Sequence, residues 1–348
     1  MATTPAIRKN CFIMRSNGWP QRSYRHPEAK PKPSPALASA WPGLMFASEF
    51  IAGHRVEPDV NLLCRNSNSP CQMNDPLISD TESLQQADAG GGEVSLDQFK
   101  KEPIQLDKGC VLELWHPVNL PWFRPNQVTR TVADPVVIRP GDVVFEIGAG
   151  IGSMTLLFLQ KFPGLKHLYS VEVVPQQADA ARLNIREHGF REQATVFEGS
   201  LFSPLEGRAN VIVGDCSGMT AIGRELEWYP PEPEDIGGIP LGGADGTEVT
   251  LPFLEQSQRH LMPGGTVYFP VIPNFSDGDK ILQAAREIYG AAQVEPAAEA
   301  RKIPLTQRQL EIIDQSEIKT FRPIERNSTG TRGRWVCEVW KATHNDRT

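Results

Sequence analysis

Glu146-Ile147-Gly148-Ala149-Gly150-Ile151-Gly152 follows the apolar run Val143–Phe145 and precedes, from Ser153, residues with helical spacing. A strand over Val143–Ile147, a glycine turn and a helix over Ser153–Lys161 are the expected local structure. Gly148, Gly150 and Gly152 permit positive φ and carry no side chain, so backbone can pass close to a ligand. The first N–H groups of the helix point at the same place and favour an anionic group such as a carboxylate. In an open α/β sheet this is the carboxyl edge of the strands, where ligands bind. The glycine spacing is GxGxG, whereas dinucleotide folds use GxGxxG. Glu146, two residues before the first glycine, is placed to attract a cationic ligand group. Glu172 closes the next predicted strand, 20 residues beyond Gly152, where a carboxylate can accept both hydroxyls of a ribose.

Outward from this turn, apolar runs and amphipathic segments alternate. Strands are expected at His167–Glu172, Ala194–Phe197, Asn210–Asp215 and Thr266–Val271, with helices at Pro175–His188, Val249–Leu261 and Asp279–Tyr289. Strands alternating with helices imply a parallel sheet covered on both faces. Ile318–Ile324 and Arg334–Trp340 flank a loop containing Asn327 and Gly330, which reads as an antiparallel hairpin. The ensemble resembles the Rossmann-like class I methyltransferase fold: a seven-stranded, mostly parallel sheet with a C-terminal antiparallel hairpin and helices on both faces. The cysteine and histidine spacing gives no expectation of a metal, and the resemblance implies S-adenosyl-L-methionine as cofactor. Its expected contacts are Glu146, Gly148, Gly150, Gly152, Glu172, Ser200 and Asp215.

A narrower resemblance covers roughly residues 120–272. Gly242-Gly243-Ala244-Asp245-Gly246, followed by Phe253-Leu254 and by His260-Leu261-Met262-Pro263-Gly264-Gly265, is similar to the GGxDG and LxPGG elements of the protein-glutamine N5-methyltransferases that modify release factors. Phe123-Arg124-Pro125 resembles their upstream PRP element. Two departures stand out. Where that family carries Asn-Pro-Pro-Tyr after its fourth strand, this chain has Asp215-Cys216-Ser217-Gly218. Where the third strand usually ends in Gly-Asp, Gly199 is followed by Ser200.

Methyl transfer is an in-line displacement in which the enzyme mainly orients nucleophile and donor. A base is needed only for a nucleophile that is protonated at working pH. Asp215 is the candidate catalytic residue, orienting or deprotonating a hydroxyl, amine or activated carbon; its plainer role is a strand-end cap. Cys216 reads as a small residue beside the site, and His116 as a packed histidine rather than a base. Trp228 and Tyr229 stand in the long loop 217–243, and Trp122 in the aromatic stretch before the first predicted helix. All three are expected to bind substrate by stacking, or else to pack the loop onto the body.

Composition bounds the function. The chain has 348 residues and a formal net charge of −7, unevenly spread. Residues 1–72 carry +5 and the remainder −12, which argues against broad binding to a nucleic-acid backbone. The six cysteines show no CxxC pairing and no neighbouring His at zinc-ligand spacing. No apolar stretch has the length of a membrane span. Residues 1–72, with nine prolines and no sustained periodicity, read as a disordered or artefactual extension. Residues 73–106 read as an acidic flexible linker, 107–135 as a substrate-side cap, and 136–345 as the S-adenosylmethionine-binding domain. A cytoplasmic location is expected, with residues 1–45 as an alternative organelle transit peptide. The leading reading is a small or medium planar acceptor. A protein or nucleic-acid methyltransferase of the glutamine type is the alternative, and an S-adenosylmethionine-binding protein repurposed for other chemistry is the third.

Overall fold

The computed structural model describes residues 95–345 except 108, 119–124, 217, 227, 229–241 and 319. The extension 1–72, the first part of the expected linker, Trp122, Ser217 and Tyr229 lie outside the described residues. Of the two substrate-side aromatics expected on the loop 217–243, Trp228 alone is described.

The described chain begins with a separate antiparallel hairpin, β1 (Phe99–Asp107) and β2 (Cys110–Pro117), turning at Gly109 with φ 81°. β1 falls inside the stretch expected as linker. Its period-two pattern is faint in sequence because Lys100, Lys101, Glu102 and Pro103 interrupt it; Ile104 and Leu106 share the buried face, and Phe99 is buried where the strand begins. Helix α1 (Gln127–Ala133) follows, its first N–H groups taken by the Asn126 side chain, which accepts from Val128 and Thr129.

The main sheet is built by β3 (Val143–Ile147), β4 (His167–Glu172), β5 (Ala194–Glu198), β6 (Ala209–Gly214) and β7 (Leu261–Val271). These five run parallel in the order β5-β4-β3-β6-β7, so the chain reverses its direction of travel between β3 and β6. That switch point opens a crevice at the carboxyl ends of the strands. Helices α2 (Ser153–Lys161) and α3 (Pro175–Glu187) contribute to one apolar cluster with Val144, Leu168, Val196, Val211 and Val213. The short α4 (Ile222–Glu225) follows β6. On the opposite face α5 (Thr250–His260) and α6 (Gly278–Tyr289) pack with Phe145, Ile212, Val267 and Phe269. The strands are nearly continuous Val/Ile/Phe runs because both faces are covered.

The C-terminal edge differs from the seven-strand expectation: among the described residues the main sheet has nine strands. β11 (Gly333–Thr343) runs antiparallel to β7, and along its other edge lie two short strands, β8 (Val294–Pro296) and β9 (Arg301–Leu305). Between β9 and β11 come α7 (Gln307–Gln315), closed by a Thr306/Gln309 capping box, and β10 (Glu325–Arg326). A hairpin into β11 does form, but its first arm is the two-residue β10, not Ile318–Ile324. Asn274 accounts for the difference. Its Nδ2 donates to the carbonyls of Arg322 and Pro323, its Oδ1 accepts from Val336 N, and its own carbonyl accepts from Phe321 N. The backbone of that segment is satisfied by a side chain and needs no ladder.

Candidate active site

A cavity of about 530 Å³ lies at the carboxyl edge, within the size range of small-molecule sites. Its floor is the glycine turn. Gly148, Gly150 and Gly152 take φ of 90°, 54° and 83°, conformations that side chains disfavour. A Cβ on Gly148 would stand 2.8 Å from the Asp215 carbonyl oxygen, so the turn can pass the end of β6 only as glycine. Gly148 and Gly150 line the cavity. Gly152 lies off the wall; a Cβ there would stand 3.2 Å from Ala181 Cα, so this glycine sets the approach of α2 to α3.

Glu172 is on the wall and almost fully buried. Its Oε2 accepts from Gly150 N at 2.7 Å and its Oε1 from Val174 N at 2.9 Å. Burial holds its carboxyl above the usual carboxylate range, partly offset by those backbone donors. Glu146 occupies a different place from the one expected. It is 0% exposed and off the cavity wall, accepting from Thr155 Oγ1 and, at 2.7 Å, from Ser170 Oγ, while Oε1 has no partner among the described residues. Its position on β3 turns it into the core beneath the turn, and burial pushes its carboxyl up to about 7.

Asp215 directly follows β6 and lines the cavity. Its amide donates to Ile147 O, and its carboxylate is hydrogen-bonded by the Thr129 side chain from α1. Burial raises it to about 6, with the Thr129 bond acting the other way. Burial also drives the neighbouring Cys216 thiol far above its usual range, with the charges of Asp215 and Glu172 adding to the effect. A thiol so held is no nucleophile. Ser200 lines the cavity beside Leu201, whose φ of 51° is the one positive value outside glycine among the described residues. Trp228 lines it too and packs on Phe275 and Trp335, with ring centroids 5.5 and 5.2 Å away. His116 is buried in the β1–β2 hairpin, its ring facing the Pro117 carbonyl and Glu102, and takes no part in the cavity.

The glycine turn, Glu172, Ser200, Asp215 and Trp228 are thus assembled around one space. Sequence reasoning missed the first turn of α1 (Asn126 to Thr129), the apolar Val173, and a wall formed by Ile303, Pro304, Gln309 and Trp335. Asn126 is legible as a helix cap. Nothing local in sequence marks Trp335 as a site residue. The Gly242–Gly246 turn is an anchor: Asp245 accepts from Thr247 N, Thr247 Oγ1 and Lys280 Nζ, and a Cβ on Gly246 would stand 2.4 Å from Ser276 Cβ. It delivers Glu248 and Val249 to the cavity rim.

Sequence comparison bears on what this space holds. A ribosomal protein uL3 glutamine methyltransferase of Bradyrhizobium diazoefficiens is 30% identical over 128 residues, covering 35% of this chain and 38% of the relative. A release factor glutamine methyltransferase of Rhodopirellula baltica is 27% identical over 193 residues, covering 54% and 63%. The chain has the class I methyltransferase fold and resembles the protein-glutamine methyltransferases. It spans less than two thirds of the length of either relative. A ribosomal protein L11 methylase of Lactobacillus delbrueckii is a solved structure similar to this methyltransferase fold at 16% identity, covering 70% of this chain and 100% of that one, with a TM-score of 0.42. No family model matches the chain. No helix among the described residues is long and apolar enough to cross a membrane.

Proposed function

We propose that the protein is an S-adenosylmethionine-dependent methyltransferase whose acceptor is a nitrogen on a protein side chain, of the glutamine type. The cavity residues fit the cofactor. Gly148 and Gly150 remove side chains where backbone meets ligand, and Glu172 lines the cavity with acceptor capacity left on both carboxylate oxygens. Val173, Ser200 and Leu201 would hold the nucleoside end between apolar surfaces. When bound, the cofactor supplies an electrophilic sulfonium methyl group.

The observation that carries the acceptor reading is the Asp215 carboxylate. It follows β6, where the resemblance puts the amide-binding motif of the glutamine enzymes, and it lines the same cavity as the glycine turn with Thr129 hydrogen-bonded to it. An ionised carboxylate accepts N–H hydrogens, orients the nitrogen and can take the proton released on methylation. The two curated relatives described above both carry names of protein-glutamine methyltransferases, which favours a protein acceptor over the small planar molecule expected from sequence.

The test is incubation with methyl-labelled S-adenosylmethionine and separated ribosomal, soluble-protein and small-molecule fractions, followed by peptide mass spectrometry. Label on a protein side-chain nitrogen is the expected outcome. Label confined to the small-molecule fraction would overturn the protein acceptor, and cofactor binding without transfer to any fraction would overturn methylation itself.

A further inference from the structure

The resemblance to the glutamine enzymes covers roughly residues 120–272, yet part of the cavity lining comes from beyond it. Ile303 and Pro304 of β9 and Gln309 of α7 line the space that also holds Asp215 and Trp228. This corner is firmly built. β9 is laddered to β11, with Pro304 opposite Arg334, and α7 opens on the Thr306/Gln309 capping box. Pro304 is apolar and exposed, and Trp228 is half-buried, its amide donating to Gly223 O and its ring packed on Phe275.

The capping box decides what Gln309 can offer. Its Oε1 accepts from Thr306 N at 3.0 Å and from Thr306 Oγ1 at 3.1 Å, and its own amide donates to Thr306 Oγ1 at 3.2 Å. Facing a main-chain N–H fixes which end of the carboxamide is oxygen. The Nε2 hydrogens have no partner among the described residues, so Gln309 keeps a neutral donor for a ligand. No Lys, Arg or His is found among the described residues that line the cavity. A phosphate on the acceptor molecule would find no cation to offset its desolvation, whereas a carbonyl oxygen needs only the N–H. Beside this donor the apolar surface of Pro304 and Trp228 favours an apolar group. A carbonyl one residue away from an apolar side chain is what a peptide segment presents.

We propose that the corner between β9 and α7 is a subsite for the residue next to the methylated one in a protein substrate. An apolar side chain packs on Pro304 and Trp228, and a main-chain carbonyl of the bound segment accepts from Gln309 Nε2. This rests on the protein-methyltransferase reading above. Selection of the neighbouring residue then lies outside the motifs shared with the glutamine enzymes.

The test is calorimetry on the full chain loaded with S-adenosylhomocysteine, titrated with acetyl-Leu-Gln-Leu-amide, acetyl-Ser-Gln-Ser-amide and a uridine hexanucleotide. The wild type is expected to bind the leucine peptide roughly 5- to 20-fold more tightly than the serine peptide, and the hexanucleotide not at all. Gln309→Glu keeps the capping oxygen, since Glu serves the same box, and removes only the donor. It should weaken both peptides roughly 3- to 10-fold, with melting temperature and S-adenosylhomocysteine affinity unchanged. Pro304→Ser should lower the preference for leucine and leave the serine peptide as it was. Equal binding of the two peptides by the wild type would overturn the proposal, as would undiminished peptide binding by Gln309→Glu. So would a loss of S-adenosylhomocysteine affinity in that variant, which would assign the donor to the cofactor, or binding of the hexanucleotide in place of the peptides. Failure of the wild type to bind S-adenosylhomocysteine would instead sink the methyltransferase reading.

Discussion

Asp215 and Glu146 are both carboxylates at the ends of central strands, and their surroundings give them opposite tasks. Asp215 is on the cavity wall with one side-chain donor, Thr129, and titrates at about 6. Its ionised form is the one that accepts N–H hydrogens, so turnover is expected to rise as pH is raised through about 6. Asp215→Asn should reduce kcat roughly 10²-fold or more in a protein that still binds cofactor by calorimetry; near-normal turnover would reduce Asp215 to a strand-end cap. Glu146 lies in the core with one oxygen unpaired, and burial raises it from 4.5 to about 7. A carboxyl with a raised folded pKa favours the native state while protonated, and that contribution disappears as pH rises from about 4.5 to about 7. The melting temperature should therefore fall across that window, and Glu146→Gln, uncharged throughout, should make the fall smaller. An equally steep fall in the variant would show that other buried carboxylates, Glu172 and Asp215 among them, govern it.

Among elements, α3 joins the glycine turn to the N-terminal hairpin through one side chain. Asn184 is fully buried, and its Nδ2 donates to Ile151 O and Trp115 O while its Oδ1 accepts from Trp115 N. Asn184→Ala removes three bonds at once and leaves main-chain groups unpaired, for an expected loss of at least ~2 kcal/mol by denaturant unfolding. Weaker cofactor binding should accompany it, because Ile151 belongs to the turn. A stability change within error would mean that water replaces the amide. At this scale the parallel strands were readable because strands covered on both faces must be apolar throughout. β8, β9 and β10 were not readable: they are two to five residues long, and for β8 and β9 the pairing partner β11 lies far along the chain. The register of an edge strand is a property of its neighbour as much as of its own residues.

For the whole molecule, binding at the cavity should appear as added stability. Either S-adenosylmethionine or S-adenosylhomocysteine at about 100 times its Kd should raise Tm by roughly 5–10 °C. Glu172→Ala, which strips the Gly150 amide of its acceptor, should remove most of that shift; a full shift in the variant would place the nucleoside elsewhere. A chain starting at Met73 should show the same ligand-induced shift as the full chain, since the glycine turn, Glu172 and Asp215 that line the cavity all lie beyond it. Loss of the shift in the shorter chain would assign residues 1–72 a part in the site.

The sequence by itself determined the turn from Glu146 to Gly152, the parallel strands around it and Glu172 as the acid of the second strand. Each of these is a local requirement: positive φ demands glycine, a doubly covered strand demands apolar residues, and a strand end exposes its last side chain to the ligand edge. Tertiary structure alone decided that Glu146 faces the core, because the face of a strand is set by which neighbours it packs on. It alone brought Thr129 to Asp215 and set Trp335 against Trp228, contacts between residues far apart in the chain. The glycine turn is local and therefore legible; the cavity lining that carries Thr129, Asp215, Trp228 and Trp335 is assembled from distant segments, and only folding brings them together.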